Sequence, residues 1–411
     1  MSHRSAPRRA TQKVSQLMIA PASSQESSDF SLILGGPLYQ IFRRTHLTGP
    51  ALQLLRRRIA FFVLLCWVPL AVLSWAQAHF LGGAKLSFFR DIETHIRFLV
   101  ALPVLILAEI IVHQRIRPVV KSFVERRVVT AEELPKFYGA INSAMRIRNS
   151  VIVEVALLIL VFTVGTWIWR HQGALDVASW YASPQGGEMH FTMAGYWFAF
   201  VSIPVFQFIL LRWYMRILIW FWFLFRVSRL KLRLLPAHPD RAGGLGFLGR
   251  SSFAFVPLLF AQGALLAGQI ASHIFYNGQT LLAFKMTIAG FVVFFVVAVL
   301  TPLLLFTPQL ARSKREGLAE YGAFASSYVM DFDHKWLRSK VNDEQLLGTG
   351  DIQSLADLGN SFAVVREMRS VPFAKDDVVR LLIATLLPIV PLLLTIMPLD
   401  QLLSQAIKMI F

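Results

Sequence analysis

Long apolar runs, separated by short polar segments rich in arginine and lysine, dominate the pattern of this chain. A helix needs about 20 mainly apolar residues to cross about 30 Å of hydrocarbon. The pattern therefore predicts an all-α integral membrane protein with about seven transmembrane helices and a helical cytoplasmic cap. The predicted spans cover residues 59–79, 96–112, 151–169, 192–225, 252–275, 284–307 and 378–403.

The fourth apolar run has an unusual length. It is interrupted by Arg212 and Arg216 alone, and as one helix its 34 residues would extend roughly 51 Å. That is longer than the hydrocarbon layer, yet too short for two spans and a turn. We interpret it as a single crossing and leave open whether the helix breaks near Arg212.

Basic residues alternate along the chain in a way that predicts its orientation. Of the 41 Lys and Arg residues, 35 lie in four segments, which are residues 1–58, 114–149, 212–250 and 308–380. Basic loops of membrane proteins face the cytoplasm. With seven spans, this places the N-terminus in the cytoplasm and the C-terminus outside.

The composition agrees with a membrane protein and excludes other classes. Hydrophobic residues make up 55% of the 411 residues and charged residues 16%, whereas soluble domains have about 25% charged residues. The net charge of +17 is spread between apolar runs, which argues against nucleic-acid binding. The single cysteine, Cys66, excludes an intrachain disulfide. We expect a multi-pass protein of a bacterial-type inner membrane that contacts anionic lipid headgroups at its cytoplasmic face.

The same pattern divides the chain into five parts. Residues 1–29 are predicted to be a disordered basic cytoplasmic tail, and 30–58 an interfacial amphipathic segment on the membrane. Residues 59–307 form a six-span core with cytoplasmic loops 114–149 and 226–251. Residues 308–377 show two helical apolar patterns and are predicted to form a cytoplasmic helical hairpin. Residues 378–411 form the seventh span and a C-terminal tail.

The hairpin has apolar faces that need a cover. The two helices would cover each other and the ends of the spans. A partner is the alternative, either a second copy of the chain or a cytoplasmic protein.

Ionisable residues inside spans are costly, so they are candidates for function. Glu109 and Glu154 lie at similar depths in the second and third spans, and His113 follows Glu109 by one helical turn. Arg212 and Arg216 of the fourth span are their natural counter-charges. Two interpretations stay open, which are a structural ion-pair cluster and a proton or ion relay.

A polar stripe runs along the fifth span. Gln262, Gln269 and His273 are seven and four residues apart, which places them on one helical face close to Gly263 and Gly268. Such a stripe either lines an aqueous path or makes hydrogen bonds to neighbouring helices while the glycines allow close packing.

The third candidate is the glycine-rich stretch between the fourth and fifth spans. Its G-x-G-x-x-G spelling lacks the strand that a dinucleotide site requires, so we reject that site. Free amide groups at a helix start favour an anion or a lipid headgroup. A structural turn is the alternative. His238 and Asp240 could also bind a metal, but two ligands are too few to assert one. The candidate residues are His238, Asp240, Arg241, Gly243, Gly244, Gly246 and Arg250.

Neither catalytic motifs nor cofactor motifs appear, since the chain contains no G-x-S-x-G, P-loop or H-E-x-x-H spelling. We therefore predict no catalytic residues, no metal and no cofactor. The working function is a transporter or channel for a small solute or ion. The alternatives are a non-transporting scaffold or sensor that uses residues 308–377, and a membrane enzyme acting on lipid-linked substrates near His238 and Asp240.

Overall fold

Six long apolar helices form most of the structure, a computed structural model that describes residues 30–37, 40, 54–81, 87–165, 180–185, 188–338 and 350–396. Each is long and apolar enough to cross a membrane. Within a bilayer a helix satisfies all its backbone hydrogen bonds internally. The chain is thus an α-helical, multi-pass membrane protein. The six helices are α1 (Leu55–Gln77), α2 (Ile92–Glu125), α5 (Met193–Val227), α6 (Gly246–Asn277), α7 (Leu281–Leu304) and α10 (Lys375–Thr395).

The predicted third span corresponds to a shorter apolar helix, α4 (Val151–Thr163). Its 13 residues extend roughly 20 Å, which is less than the hydrocarbon thickness. The rest of that predicted span, from 166 to 169, and the C-terminal part of the seventh, from 397, lie outside the described residues. Among the described residues, six helices are thus long and apolar enough to span a membrane, and the total of seven spans stays a prediction.

The fourth apolar run forms one continuous helix, α5. It passes through both Arg212 and Arg216 without a break and contains a π-helical stretch at Phe198–Ser202. Thr192 caps its start by accepting a hydrogen bond from the amide of Gly195. At about 50 Å, this helix carries polar residues deep into the bundle and also extends to the membrane boundary.

Helix α6 lies at the centre of the bundle, since 67% of its apolar window is buried inside the protein. Two of its glycines allow neighbouring helices to approach. A Cβ at Gly263 would collide with the carbonyl of Thr385 on α10, and a Cβ at Gly268 would lie 3.3 Å from Ile96 on α2. Small residues at such contacts are common between membrane helices, which associate through close packing.

Residues 30–36 differ from the predicted membrane-surface segment. Phe30, Leu32 and Ile33 are almost completely buried within the protein, and the Phe30 ring lies 4.9 Å from the ring of Phe223 on α5. This stretch is too short to span a membrane, which is why its apolar residues were predicted to lie on the surface. Instead the stretch is buried within the protein and packs against α5. Most of the remaining segment, 38–39 and 41–53, lies outside the described residues.

Two helices follow α7 and pack on each other within the part of the chain predicted as a hairpin. They are α8 (Thr307–Phe332) and α9 (Gly350–Arg366). Lys335 and Trp336, just beyond α8, both donate to the carboxylate of Asp351 at the start of α9. Residues 339–349 between them lie outside the described residues.

Two smaller elements complete the fold. Helix α3 (Leu134–Arg148) packs along α5. A two-stranded antiparallel hairpin, β1 (Ala182–Gln185) with β2 (Glu188–Phe191), precedes α5. These two strands form the one sheet among the described residues, and the sequence pattern did not predict them.

Candidate functional site

A carboxylate shared by two arginines is buried between α1, α2 and α5. Glu109 of α2 accepts hydrogen bonds from Arg58 of α1 at 2.5 Å and from Arg216 of α5 at 2.6 Å. All three side chains are nearly inaccessible to solvent, with 4–8% of each exposed. Charge-assisted hydrogen bonds of this kind are the strong ones in protein interiors. Glu109 therefore connects three membrane helices.

A second, looser ion pair lies beside the first. Arg212 of α5 approaches Glu154 of α4 with 3.5 Å between Nη2 and Oε1. The Arg216 guanidinium lies over the ring of Trp213, 4.6 Å from its centroid, and the Trp213 indole donates to the carbonyl of Leu105. The aromatic face and the Glu109 carboxylate thus both hold Arg216, whereas Arg212 has a longer contact.

The depth of these arginines follows from how α5 and α7 lie side by side. The amide of Gln309, just after α7, donates to the carbonyls of Ser228 and Leu230, just after α5, at 2.6 and 3.0 Å. Further inside, the rings of Tyr214 and Phe295 lie 6.5 Å apart. The two helices therefore end at the same side of the membrane and run in the same direction.

This alignment places Arg212 and Arg216 at the level of Phe295. Phe295 lies nine residues before the end of α7 at Leu304, or roughly 14 Å along the helix. Both arginines consequently lie well inside the layer that α7 crosses. Charges at this depth are rare and mark functional sites by default.

Two small cavities adjoin the arginines. One, of about 30 Å³, is lined by Arg148, Glu154, Arg212 and Arg216 among others. The other, of about 10 Å³, is lined by Arg58, Glu109, Arg212 and Arg216 among others. A water molecule needs roughly 10–15 Å³ of such volume. The larger cavity thus has room for about two waters and the smaller for about one. The side chains of Arg212 and Arg216 form part of the wall of both.

Residues 31–36 close the larger cavity from one side. Arg148 donates from Nη1 to the carbonyl of Ser31, and the Ser31 hydroxyl lies 2.9 Å from His113 Nδ1. Gly35 and Gly36 both have positive φ. A Cβ at Gly35 would collide with the Arg148 guanidinium, so glycine is required there for both space and conformation.

The cluster contains more positive than negative charge. Its four arginines and two glutamates have a formal net charge of +2. An excess charge in a low-dielectric interior is costly unless a counter-ion or water stabilises it. The arrangement is therefore suited to holding a small anion beside Arg212, where the existing ion pair is longest. The cluster consists of Arg58, Glu109, Arg148, Glu154, Arg212 and Arg216.

Sequence reasoning named Glu109, Glu154, Arg212 and Arg216, and the structure brings these four together. The sequence pattern did not indicate Arg58, because this residue falls in the basic segment 1–58 just before the first predicted span. A signal was present, because Arg58, Phe62 and Cys66 are spaced four apart and form the buried face of α1. Nothing in the local sequence indicated Arg148 or Ser31.

The polar stripe on α6 divides into a buried part and an exposed part. Gln262 is buried and donates to the hydroxyl of Tyr214 on α5 at 2.8 Å. Gln269 is exposed on the outer surface, and His273 contacts Asn277 one turn further along α6. The stripe curves from the interior to the exterior because the buried face of a central helix changes along its length. Its inner part makes the helix-to-helix hydrogen bond of the packing alternative.

The glycine-rich turn already contains its own anion. The carboxylate of Asp240 accepts hydrogen bonds from the amides of Ala242 and Gly246 at 2.8 Å and Gly244 at 3.1 Å. These amides were predicted to be free for a phosphate or headgroup, and the side chain two to six residues earlier engages them instead. Gly244 has a positive φ of 94°, a conformation that favours glycine.

The remaining residues of the turn connect it to the segment after α9. Arg241 pairs with Glu367 at 3.1 Å, and its carbonyl accepts from the amide of Arg369. Gly243 has positive φ, and a Cβ there would lie 2.9 Å from Met368. The turn is thus a structural connection. The last two candidate residues do not contact this segment in the same way. His238 lies 2.9 Å from the Asp240 carboxylate, and the Arg250 side chain is exposed.

Among the described residues, no group of three or more His, Cys, Asp or Glu side chains has the arrangement of a metal site. Comparison of the chain with protein-family models, with curated proteins and with solved structures found no match. The arginine–glutamate cluster is therefore the feature of the protein that points to a function.

The turn offers a direct test through Asp240. Burial raises the pKa of this carboxyl, but the three amide hydrogen bonds and His238 outweigh burial, so the net pKa lies below the ordinary 3.8. A depressed pKa means that the ionised side chain stabilises the fold above pH 3.8 and that this stabilisation disappears as pH falls through the folded-state pKa.

We expect Asp240→Asn to destabilise the protein by about 1–3 kcal/mol at neutral pH, because the amide replaces an ionised acceptor of hydrogen bonds. Thermal unfolding of the purified protein measures this difference, which should shrink below about pH 4 as wild-type Asp240 becomes protonated. Asp357→Asn is the matched control, since Asp357 is exposed on α9. Equal melting temperatures for both variants and the wild type would show that the carboxylate does not organise the turn.

Proposed function

We propose that the protein moves a small anion across the membrane and that the arginine–glutamate cluster is its binding site. The observation that carries this proposal is the net charge of +2 on six side chains that line two water-sized cavities, the larger of which is partly open to the surface. A purely structural cluster is served best by equal numbers of acids and bases, since each surplus charge adds desolvation cost.

The site has one tight part and one loose part. Arg216 is held by Glu109 and by the Trp213 ring, so it supplies a fixed positive charge. Arg212 is 3.5 Å from Glu154 and borders both cavities. An anion that enters the larger cavity competes with Glu154 for Arg212. The Arg212 side chain would then alternate between the Glu154 carboxylate and the bound anion. This movement would carry the anion past the level of the cluster.

A second candidate function is a non-transporting scaffold or sensor. Several large apolar side chains of α8, of the segment just beyond it and of the start of α9 are exposed, which is unusual for a surface without a partner. A second copy of the chain or another protein would cover them. They are Phe324, Val329, Met330, Leu337 and Ile352. An enzyme acting near His238 and Asp240 is less well supported, because the Asp240 carboxylate is engaged by backbone amides.

The proposed orientation is seven spans with the N-terminus in the cytoplasm, in a bacterial-type inner membrane. Its support is the concentration of arginine and lysine in alternate segments. Cysteine labelling tests it, because the native Cys66 is fully buried and gives little background.

In intact cells we expect an impermeant thiol reagent to label Asn277→Cys at the end of α6. Ser326→Cys on α8 should be labelled after permeabilisation alone. Both positions are exposed, so access to the side chain is not limiting. Labelling of Ser326→Cys in intact cells would show that the proposed orientation is wrong.

Transport itself is tested with purified protein in liposomes, by measuring chloride efflux and inorganic phosphate uptake. We expect Arg212→Gln to reduce the flux of the transported anion about tenfold or more, which corresponds to about 1.4 kcal/mol of lost interaction. Arg315→Gln on α8 removes an exposed arginine and should leave flux unchanged.

Because Arg212→Gln leaves Glu154 buried without this partner, a second variant separates folding from transport. The double variant Glu154→Gln/Arg212→Gln removes both charges and should unfold near the wild-type temperature while its flux remains low. If the folded wild-type protein passes neither chloride nor phosphate, the transport proposal is wrong and the scaffold is favoured.

A further inference from the structure

An arginine–aromatic ladder lies at the end of α5, outside the cluster. The rings of Trp222 and Phe225 stack at 6.1 Å with planes 29° apart. The guanidinium carbon of Arg226 lies 5.9 Å from the Trp222 ring centroid, and that of Arg229 lies 5.0 Å from the Phe225 centroid. Each arginine therefore follows its ring by one helical turn, and both are on one face of the chain.

The ladder is both fixed and accessible. The Trp222 indole donates to the hydroxyl of Ser143 on α3 at 3.0 Å, which sets the orientation of the ring. Trp222 is 37% exposed, and Arg226 and Arg229 are also exposed. The guanidinium groups are thus held against aromatic faces while their hydrogen-bond donors remain available to a ligand.

The ladder also lies at the membrane boundary. Trp222 is eight residues beyond Tyr214, and Leu304 is nine residues beyond Phe295, whose ring faces Tyr214. Trp222 is therefore level with the end of the apolar helix α7. The two arginines lie roughly 6–10 Å further along, where the headgroup region of a bilayer begins.

Arg226 lies in the last turn of α5 and Arg229 in the turn that follows it, so their positive charges are close and repel each other. An anion between them removes that repulsion. Guanidinium groups match the geometry of phosphate oxygens, and Trp is enriched at the level of the headgroups. We propose that Trp222, Phe225, Arg226 and Arg229 form a binding site for the phosphate of an anionic membrane lipid. The depth of the ladder favours a lipid over a soluble anion, and the site is independent of transport by the cluster.

The test is a titration of the full-length protein in a neutral detergent with short-chain phosphatidylglycerol, followed by thermal shift. Each arginine near an anionic partner contributes roughly fivefold in affinity, so Arg226→Gln/Arg229→Gln should weaken binding roughly 25-fold. Without lipid its melting temperature should equal that of the wild type, because both side chains are exposed. Arg226→Lys/Arg229→Lys keeps the charges and should be intermediate.

The chain provides a matched control in Arg312→Gln/Arg315→Gln. These arginines are also exposed and three residues apart on a helix, and Arg312 pairs with Glu316 instead of an aromatic ring. This variant should bind phosphatidylglycerol as the wild type does. The proposal is overturned if both double variants lose the same affinity. It is also overturned if inorganic phosphate or phosphatidylcholine gives the same ladder-dependent shift as phosphatidylglycerol.

Discussion

The shared carboxylate of Glu109 is the interaction on which the interior of the bundle depends. Without it, Arg58 and Arg216 would face each other in a low-dielectric environment that penalises each charge by several kcal/mol. With it, α1, α2 and α5 are connected by two charge-assisted hydrogen bonds that together leave almost no exposed surface. The chain can therefore keep Arg212 nearby with a weaker contact to Glu154, because the rest of the cluster is already stabilised.

Helix α5 connects this interior to the membrane surface. Its 35 residues carry Arg212 and Arg216 inside the bundle, and the ladder of Arg226 and Arg229 lies at its end. Both groups use aromatic rings to hold guanidinium groups, with Trp213 inside and Trp222 at the boundary. The two sites differ in their surroundings, since the cluster has acidic partners and the ladder is open to the headgroup region.

The helices were predictable because an apolar run of sufficient length has few alternatives to a membrane helix. The pairing of Glu109 with Arg216 was also predictable, since costly charges in adjacent spans need each other. The roles of residues 30–36 and of Asp240 were not predictable. Residues 30–36 contact residues far along the chain, and Asp240 binds backbone amides, which the sequence does not display. The stripe from Gln262 to Gln269 shows a further limit. Helical spacing gives a common face, but it does not say how much of that face neighbouring helices cover.

The most direct test of the anion site is to locate a halide in crystals of the full-length protein soaked in sodium bromide, using anomalous scattering. We expect a bromide peak in the cavity between Arg148, Arg212 and Glu154, where positive charge is in excess. The peak should be absent from crystals of Glu154→Gln/Arg212→Gln. Bromide bound at surface arginines, with none in the cavity of the wild-type protein, would contradict the central claim.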